Sequence, residues 1–270
     1  MASGSNGRSV TSRALDLLGA FDVDHPCLTL TELAGRCAMP LATVHRLAGE
    51  LEAWGALERD KDNLYQIGTR LWELGLLAPV PRRLREIALP FMQDLYERSR
   101  ENIHFAVEDA HDALYIAKLT GHRAVPIISR DGTRLPMHAT GVGKALLAFA
   151  SDDFVDRYCA RRLTRCTQHT IVEPGRLRRE VAITRKRGYA LTAEEMTLGS
   201  CSVAVPVFGA EGEVVAGLGV VVQGVTKDLA RFVPDLTSEA QKIAKEMIKR
   251  RSDPHPGFLH DVGSSAGRVG

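Results

Sequence analysis

Thr43, His45 and Arg46 stand within four residues of one another and offer a hydroxyl, an imidazole and a guanidinium. On one face of a helix, Thr43 and His45 could reach DNA base edges, and Arg46 could clamp a phosphate or a guanine. Arg59 and Lys61 follow at a distance that suits contacts to the DNA backbone. A different chemistry is conceivable at Ser200-Cys201-Ser202, three possible nucleophiles, with His104, His111 and His138 as possible bases. Nucleophilic catalysis needs a base within reach and an orienting partner. None of these residues stands in a G-x-S-x-G context or another catalytic arrangement. The run Gly141-Val142-Gly143-Lys144 is not a phosphate loop, because Ala145 follows the lysine where a Ser or Thr is needed. The five cysteines (Cys27, Cys37, Cys159, Cys166, Cys201) are scattered without C-x-x-C spacing, so neither a zinc site nor a disulfide framework is expected. The residues favour binding over catalysis, and no cofactor or metal is expected.

The elements that must position the first set are legible in TLTELAGRCAMPLATVHRLAGELEAWGALERDKDNLYQI, residues 29–67. Thr29 and Glu32 have the spacing of a capping box at a helix start. Leu30, Leu33, Ala34 and Cys37 keep the helical period to about Cys37. After a short turn, Pro40 suits the first position of a second helix. There Val44, Leu47, Ala48, Leu51 and Trp54 form the buried stripe, and Gly55 ends the helix. Its opposite face carries Ala42, Thr43, His45, Arg46 and Gly49. Arg13, Thr31 and Leu41 complete the candidate DNA contacts. Leu57–Arg59 and Leu64–Ile67 alternate as two strands, with residues 59–63 as the tip between them. Helix, turn, helix and hairpin in this order predict a winged helix-turn-helix, a module that lays its second helix in the major groove. A winged helix can also serve protein contacts alone, and such an adaptor would bind no operator at any salt concentration. Residues 1–80 hold seven basic and ten acidic side chains, a net charge of −3. The module therefore lacks the broad basic footprint of many nucleic-acid binders. Modest affinity per module is expected, with a local patch and a doubled site supplying the rest.

The 270-residue chain is too long for one such module, so two domains are expected. Its 44% hydrophobic and 25% charged residues are ordinary for a soluble protein. No apolar run reaches the roughly 18 residues of a membrane span, and the N-terminal residues lack a secretory core. A reducing cytoplasm fits the cysteine usage. Residues 9–21 read as a helix with the stripe Val10, Ala14, Leu17, Leu18 and Phe21, and residues 22–28 as a loop. The expected organisation is a winged module over 1–67, a linker helix within 68–81 ended by Pro79 and Pro81, a second domain over 82–250, and a disordered tail over 251–270. In the second domain a helix over 84–99 contains Pro90, which predicts a kink or a break. Period-two segments follow around 103–107 and 114–118, continued by 123–129. Helices are expected over 141–150, 152–160 and 175–187. A hairpin joins strands 202–208 and 214–222, covered on both faces, and a last helix spans about 228–250. The second domain is thus α+β with an antiparallel sheet, a class that often holds a small ligand against one sheet face.

Two segments of that domain, LPMHATGVGKALLAF (135–149) and RGYALTAEEMTLGSCSVAVPVF (187–208), closely resemble the two most characteristic stretches of IclR-type transcriptional regulators. The run SVTSRALDLLGAF and the winged module fit the same family, so the resemblance covers about residues 9–250. It implies a cytoplasmic bacterial repressor or activator that binds operator DNA as a homodimer or dimer of dimers. The implied C-terminal domain is GAF-like and binds a small effector. Carried over by position, the effector site comprises Ala124, Ile127 and Leu135 as wall residues and Gly141 and Val142 as backbone donors at a helix start. Thr192, Ser200, Ser202, Gly219 and Val221 complete it. Thr192 replaces a frequent Asp, Ser202 a usual Cys (with Cys201 one residue earlier), and Gly219 and Val221 two frequent serines. Leaving a buried polar ligand group unmatched costs about 1–3 kcal/mol. These departures therefore favour a partly apolar effector, such as an aromatic acid, an amide or a hydrazide, over a small keto-acid. Lys144 reads as an ordered structural or surface lysine and His138 as a hydrogen-bonded structural histidine. Glu194 and Glu195 could line the pocket mouth, but as neighbours they point different ways and make no acid/base pair. The expected mechanism is ligand-controlled DNA binding, with the linker helix as lever. A ligand-binding hydrolase is the alternative.

Overall fold

Helix starts in the first unit are set by side chains that satisfy otherwise unpaired backbone N–H groups. The computed structural model describes residues 9–22, 24–121, 131–224 and 228–252. The chain divides into two units between Pro79 and Val80. Ser9 Oγ accepts from the Ser12 N–H at 3.0 Å and opens α1 (Val10–Leu18). Thr29 opens α2 (Leu30–Cys37) with a complete capping box. Its hydroxyl accepts from the Glu32 N–H at 3.2 Å, while Glu32 Oε2 accepts from the Thr29 N–H at 2.7 Å. The next helix, α3 (Leu41–Trp54), ends at Gly55, whose φ of +87° is open to glycine. Leu17, Leu33, Val44, Leu47 and Tyr65 share the core of these helices and a small sheet.

That sheet corrects one expectation. The segment read as a loop contains β1 (Cys27–Leu28), which pairs with β3 (Tyr65–Ile67), itself paired with β2 (Leu57–Arg59). A two-residue strand leaves no periodic signal. Pro40 is the N-cap of α3 rather than its first residue. Trp54 and Val10 are largely exposed; Trp54 instead lies under the Arg70 guanidinium, 4.4 Å from the ring centre. The linker segment forms α4 (Thr69–Gly75), which buries none of its residues.

The next helix, α5 (Pro79–Ser99), starts at the last residue of the first unit, the proline expected to end the linker helix, and continues into the second unit through Pro90 without a break. Proline is well placed in a first helical turn, where no N–H is needed. A six-stranded antiparallel sheet follows in the order β6-β5-β4-β9-β8-β7. Its strands are β4 (Asn102–Asp109), β5 (Asp112–Leu119), β6 (Arg134–Pro136), β7 (Ala190–Ala193), β8 (Ser200–Phe208) and β9 (Val214–Gln223). Neither β6 nor β7 was foreseen. The strand expected over 123–129 and the tail from 253 lie outside the described residues.

One sheet face packs on α5 and on α9 (Val233–Ser252), which a 3-10 turn precedes, through Ile87, Met92, Phe105, Val205, Leu218 and Leu236. The other face packs on α6 (Gly141–Phe149), α7 (Asp152–Ala160) and α8 (Pro174–Arg187) through Tyr115, Leu146, Leu147, Tyr158, Leu177 and Ala204. Because helices cover both faces, β4 is buried at five consecutive residues. The alternation expected at 103–107 is absent for that reason.

Candidate functional site

The exposed face of α3 carries Leu41, Ala42, His45 and Arg46, with Thr43 half-buried beside them. Pro40 offers no side chain to cap this helix. Its first N–H groups thus stay available to an anion such as phosphate. Arg46 pairs with Glu50 one turn on, both more than half exposed; such a pair is weak and opens readily to another anion. At the wing, Arg59 Nη2 donates to Asn63 Oδ1 at 2.6 Å, and its guanidinium lies 5.5 Å from the Tyr65 ring centre. Lys61 is exposed at the tip, and Thr31 is exposed near the start of α2. Arg13 is half-buried, and its Nε has no hydrogen-bond partner among the described residues. The module thus presents an open helix start and separate cations rather than a continuous basic surface.

In the second unit, α6 begins against the sheet and a cavity of about 40 Å³ lies at its start. Leu135, Gly141, Val142, Thr192, Ser200, Ser202, Gly219 and Val221 all line it. Ala124 and Ile127 lie outside the described residues. Strand register explains the grouping. Thr192 opposes Ser202, Ser202 opposes Val221, and Ala204 opposes Gly219, which opposes His104 on its other side. The pleat sends Cys201 to the α5 and α9 layer while Ser202 stays at the cavity, where its hydroxyl lies 2.5 Å from that of Thr192.

The start of α6 is shaped by close approach. Thr140 Oγ1 caps it by accepting from the Gly143 N–H at 3.2 Å. The N–H groups of Gly141 and Val142 remain without an intrahelical partner. A Cβ on Gly141 would stand 2.5 Å from Ser202 Oγ, so any other residue here would have to turn that hydroxyl away from the cavity. A carboxylate or carbonyl oxygen at that point would meet two N–H groups and the positive end of the helix dipole.

Glu195 lines the cavity, as expected of the Glu194-Glu195 pair, while sequence reasoning missed the polar lining groups Tyr115, Thr140 and Thr197 and named His104 only as a possible base. Only pairing register and the return of the 194–199 loop bring them here, and neither leaves a local signal. His104 meets the Tyr115 ring edge-on at 5.2 Å between centres. Burial, with help from nearby Lys118, lowers its pKa to about 3, so the imidazole is neutral. Burial likewise pushes the Tyr115 phenol upward, against a hydrogen bond with Thr140. Lys144, itself buried, donates from Nζ to Glu195 Oε1 at 2.6 Å. Burial raises the Glu195 pKa, and Lys144 pulls it back. His138 stands apart from the cavity lining, bonded to Tyr158 Oη and to the Thr164 carbonyl, both at 2.9 Å.

Comparison with known proteins agrees across both units. A family model described as bacterial transcriptional regulator IclR C-terminal matches residues 80–246. The model of the IclR helix-turn-helix domain matches residues 10–61. The HTH-type transcriptional regulator BhcR of Paracoccus denitrificans is 34% identical over 221 residues, 81% of this chain and 79% of that protein. The transcriptional repressor IclR of Escherichia coli is 31% identical over 244 residues, 87% of each. Among solved structures, an IclR homolog from Microbacterium hydrocarbonoxydans, complexed with 4-hydroxybenzoate, aligns with a TM-score of 0.83 at 33% identity. That alignment covers 90% of this chain and all of the other. Winged module, antiparallel second domain and matches to both domain models together place this chain in the IclR family of bacterial helix-turn-helix transcriptional regulators.

Proposed function

We propose that two copies of this chain read two half-sites of a pseudo-palindromic operator, and that a small effector in the second-unit cavity sets their affinity for it. The observation that carries this reading is one cavity combining an open helix start with eight residues of the implied effector site. The Gly141 and Val142 N–H groups take the effector's carboxylate or carbonyl, and Leu135, Val142 and Val221 supply apolar wall. The effector class is a partly apolar acid, amide or hydrazide. The complex of the Microbacterium relative with 4-hydroxybenzoate supports an aromatic member of that class. A cavity of about 40 Å³ holds only a few water molecules, so a larger ligand must bind a widened arrangement. An effector that favours one arrangement shifts the population toward it, and its coupling to operator affinity is reciprocal.

Self-association draws support from α4 and its end. Trp72 and Leu77 are 64% and 69% exposed, with Leu74 and Leu76 also open. A second copy covering them gives a dimer, and two such pairs a dimer of dimers. Binding without turnover fits the Ser202 hydroxyl, which pairs with Thr192. No helix among the described residues is long and apolar enough to cross a membrane, which suits a cytoplasmic protein working on the chromosome.

Selection of genomic fragments by the purified protein tests the proposal. Enrichment of one palindromic site, with affinity falling steeply between two salt concentrations, is the expected result. Arg46→Ala should weaken binding to that site by about tenfold and lower the salt slope by about one, leaving effector affinity unchanged. Unaltered operator binding by Arg46→Ala would remove α3 from the groove.

A further inference from the structure

The loop between β7 and β8, residues 194–199, is pinned along its backbone. Thr167 Oγ1 donates to the Glu194 carbonyl at 2.6 Å, and Thr170 Oγ1 to the Glu195 carbonyl at 2.7 Å. The Gly199 N–H donates to Glu194 Oε1 at 2.7 Å, and Ser200 Oγ to the Thr197 carbonyl at 2.8 Å. Within this fixed frame two side-chain atoms are left over. Glu195 Oε2 and Thr197 Oγ1 are buried and have no hydrogen-bond partner among the described residues. They are two of only five such atoms among those residues, and both residues line the same cavity. Glu195 is 7% exposed, and its other oxygen is taken by Lys144. The Ile171 N–H also donates toward the carboxylate and helps hold its charge, yet Oε2 itself has no partner within hydrogen-bond geometry among the described residues. Buried polar atoms are almost always satisfied, so two orphans at one cavity mark the place of a missing partner.

We propose that Glu195 and Thr197 form a polar subsite of the effector cavity, and that the effector carries an O–H or N–H group donating to Glu195 Oε2. The inference rests on the effector reading above and narrows it. An ionised carboxylate only accepts hydrogen bonds, and a Thr hydroxyl both donates and accepts. A hydroxyl group on the ligand suits both atoms, an amino group suits the carboxylate, and an ether oxygen suits Thr197 alone. The ligand class is therefore a small acid or acyl compound with a second, donor-bearing group besides the carbonyl held at the start of α6. Simple acids that lack this group leave Glu195 Oε2 buried and unpaired.

Calorimetric titration of the full-length protein with matched probes tests this: 4-hydroxybenzoate, 4-methoxybenzoate and benzoate, then the smaller pair glycolate and acetate. In the set whose hydroxyl spans the distance from the start of α6 to Glu195, the hydroxylated acid should bind at least about tenfold tighter than its partners, the usual span of a hydrogen bond to a charged group. Thr197→Val and Glu195→Gln should each reduce that preference several-fold while the affinity for the unsubstituted acid changes little. Glu195→Gln also leaves Lys144 without its anion and can unfold the unit, so a thermal melt checks both variants; Glu195→Gln removes the proposed acceptor, and Thr197→Val reports on the second contact. Equal affinities within each set, or a preference that survives undiminished in both variants, overturns the subsite. Operator affinity measured with the same acids separates the two levels. If the acids shift it without donor preference, the subsite alone fails. If none binds or shifts it, the effector reading fails and the subsite with it.

Discussion

His104 shows how one side chain ties the cavity to acid stability. The imidazole is buried beside Tyr115, and its pKa falls from 6.5 to about 3 because burial disfavours the cation. In the unfolded chain the group takes up a proton near pH 6.5. Between those values the unfolded state holds the extra proton, so stability is complete above pH 6.5 and declines as pH falls toward 3. The limiting slope is about 1.4 kcal/mol per pH unit. Thermal melts from pH 7.5 to 5 should show a steeper loss for the native protein than for His104→Gln. Parallel curves would mean that His104 is not held neutral. Nothing in the sequence marks this histidine, since its environment comes from β5 and β9 neighbours far along the chain. Ser202 was legible through family position, but why it and not Cys201 meets the cavity follows only from the pleat. Glu195 was legible only as one of two neighbouring carboxylates at a pocket mouth; nothing in the sequence pointed to its partner Lys144, and Thr197 had no guide at all.

The helices of the first unit were legible at the level of elements because their ends carry chemistry: the Thr29–Glu32 box before α2 and Gly55 after α3. Sheet pairing was less so. Both β6 and β7 are short, and β4 lies between two helical layers, so alternation, the usual strand signal, is erased. Pro79 and Pro81 misled because a proline is equally suited to follow one helix or to begin another. The start of α6 gives the sharpest test at this scale. A Cβ on Gly143 would stand 2.4 Å from Met137 Cα and 2.5 Å from its carbonyl oxygen, inside any real contact. Gly143→Ala must push α6 off the preceding 3-10 turn (Met137–Ala139), at a cost of about 2–3 kcal/mol. The melting temperature of the second unit should fall by roughly 5–10 °C, and effector binding should be lost with it. Gly219→Ala is the contrast. Its nearest side-chain neighbours, Ala204 Cβ and Val142 Cγ1, would lie at 3.0 and 3.1 Å, where a few tenths of an ångström relieve the contact. That variant should stay folded and bind bulky acids more weakly than small ones; normal stability of Gly143→Ala would contradict the close approach.

For the molecule as a whole, charge and self-association are one question. The first 80 residues carry a net −3, so a single module gains little from long-range attraction to DNA. Two modules held together gain from effective concentration instead, which can raise operator affinity by orders of magnitude without a new contact. The dimer proposed above uses the surface of α4 and its end: α4 buries none of its residues, and Trp72 and Leu77 are the most open large apolar side chains among the described residues. Large exposed apolar patches are a common mark of interaction surfaces. Trp72→Glu combined with Leu77→Glu places like charges across any two-fold contact at this helix. The doubled variant should sediment as a smaller species than the native protein at the same concentration. It should lose most affinity for a full palindrome while binding an isolated half-site as the native module does. An unchanged sedimentation coefficient would move the interface elsewhere, and weakened half-site binding would show that α4 supports the winged module itself rather than a partner copy.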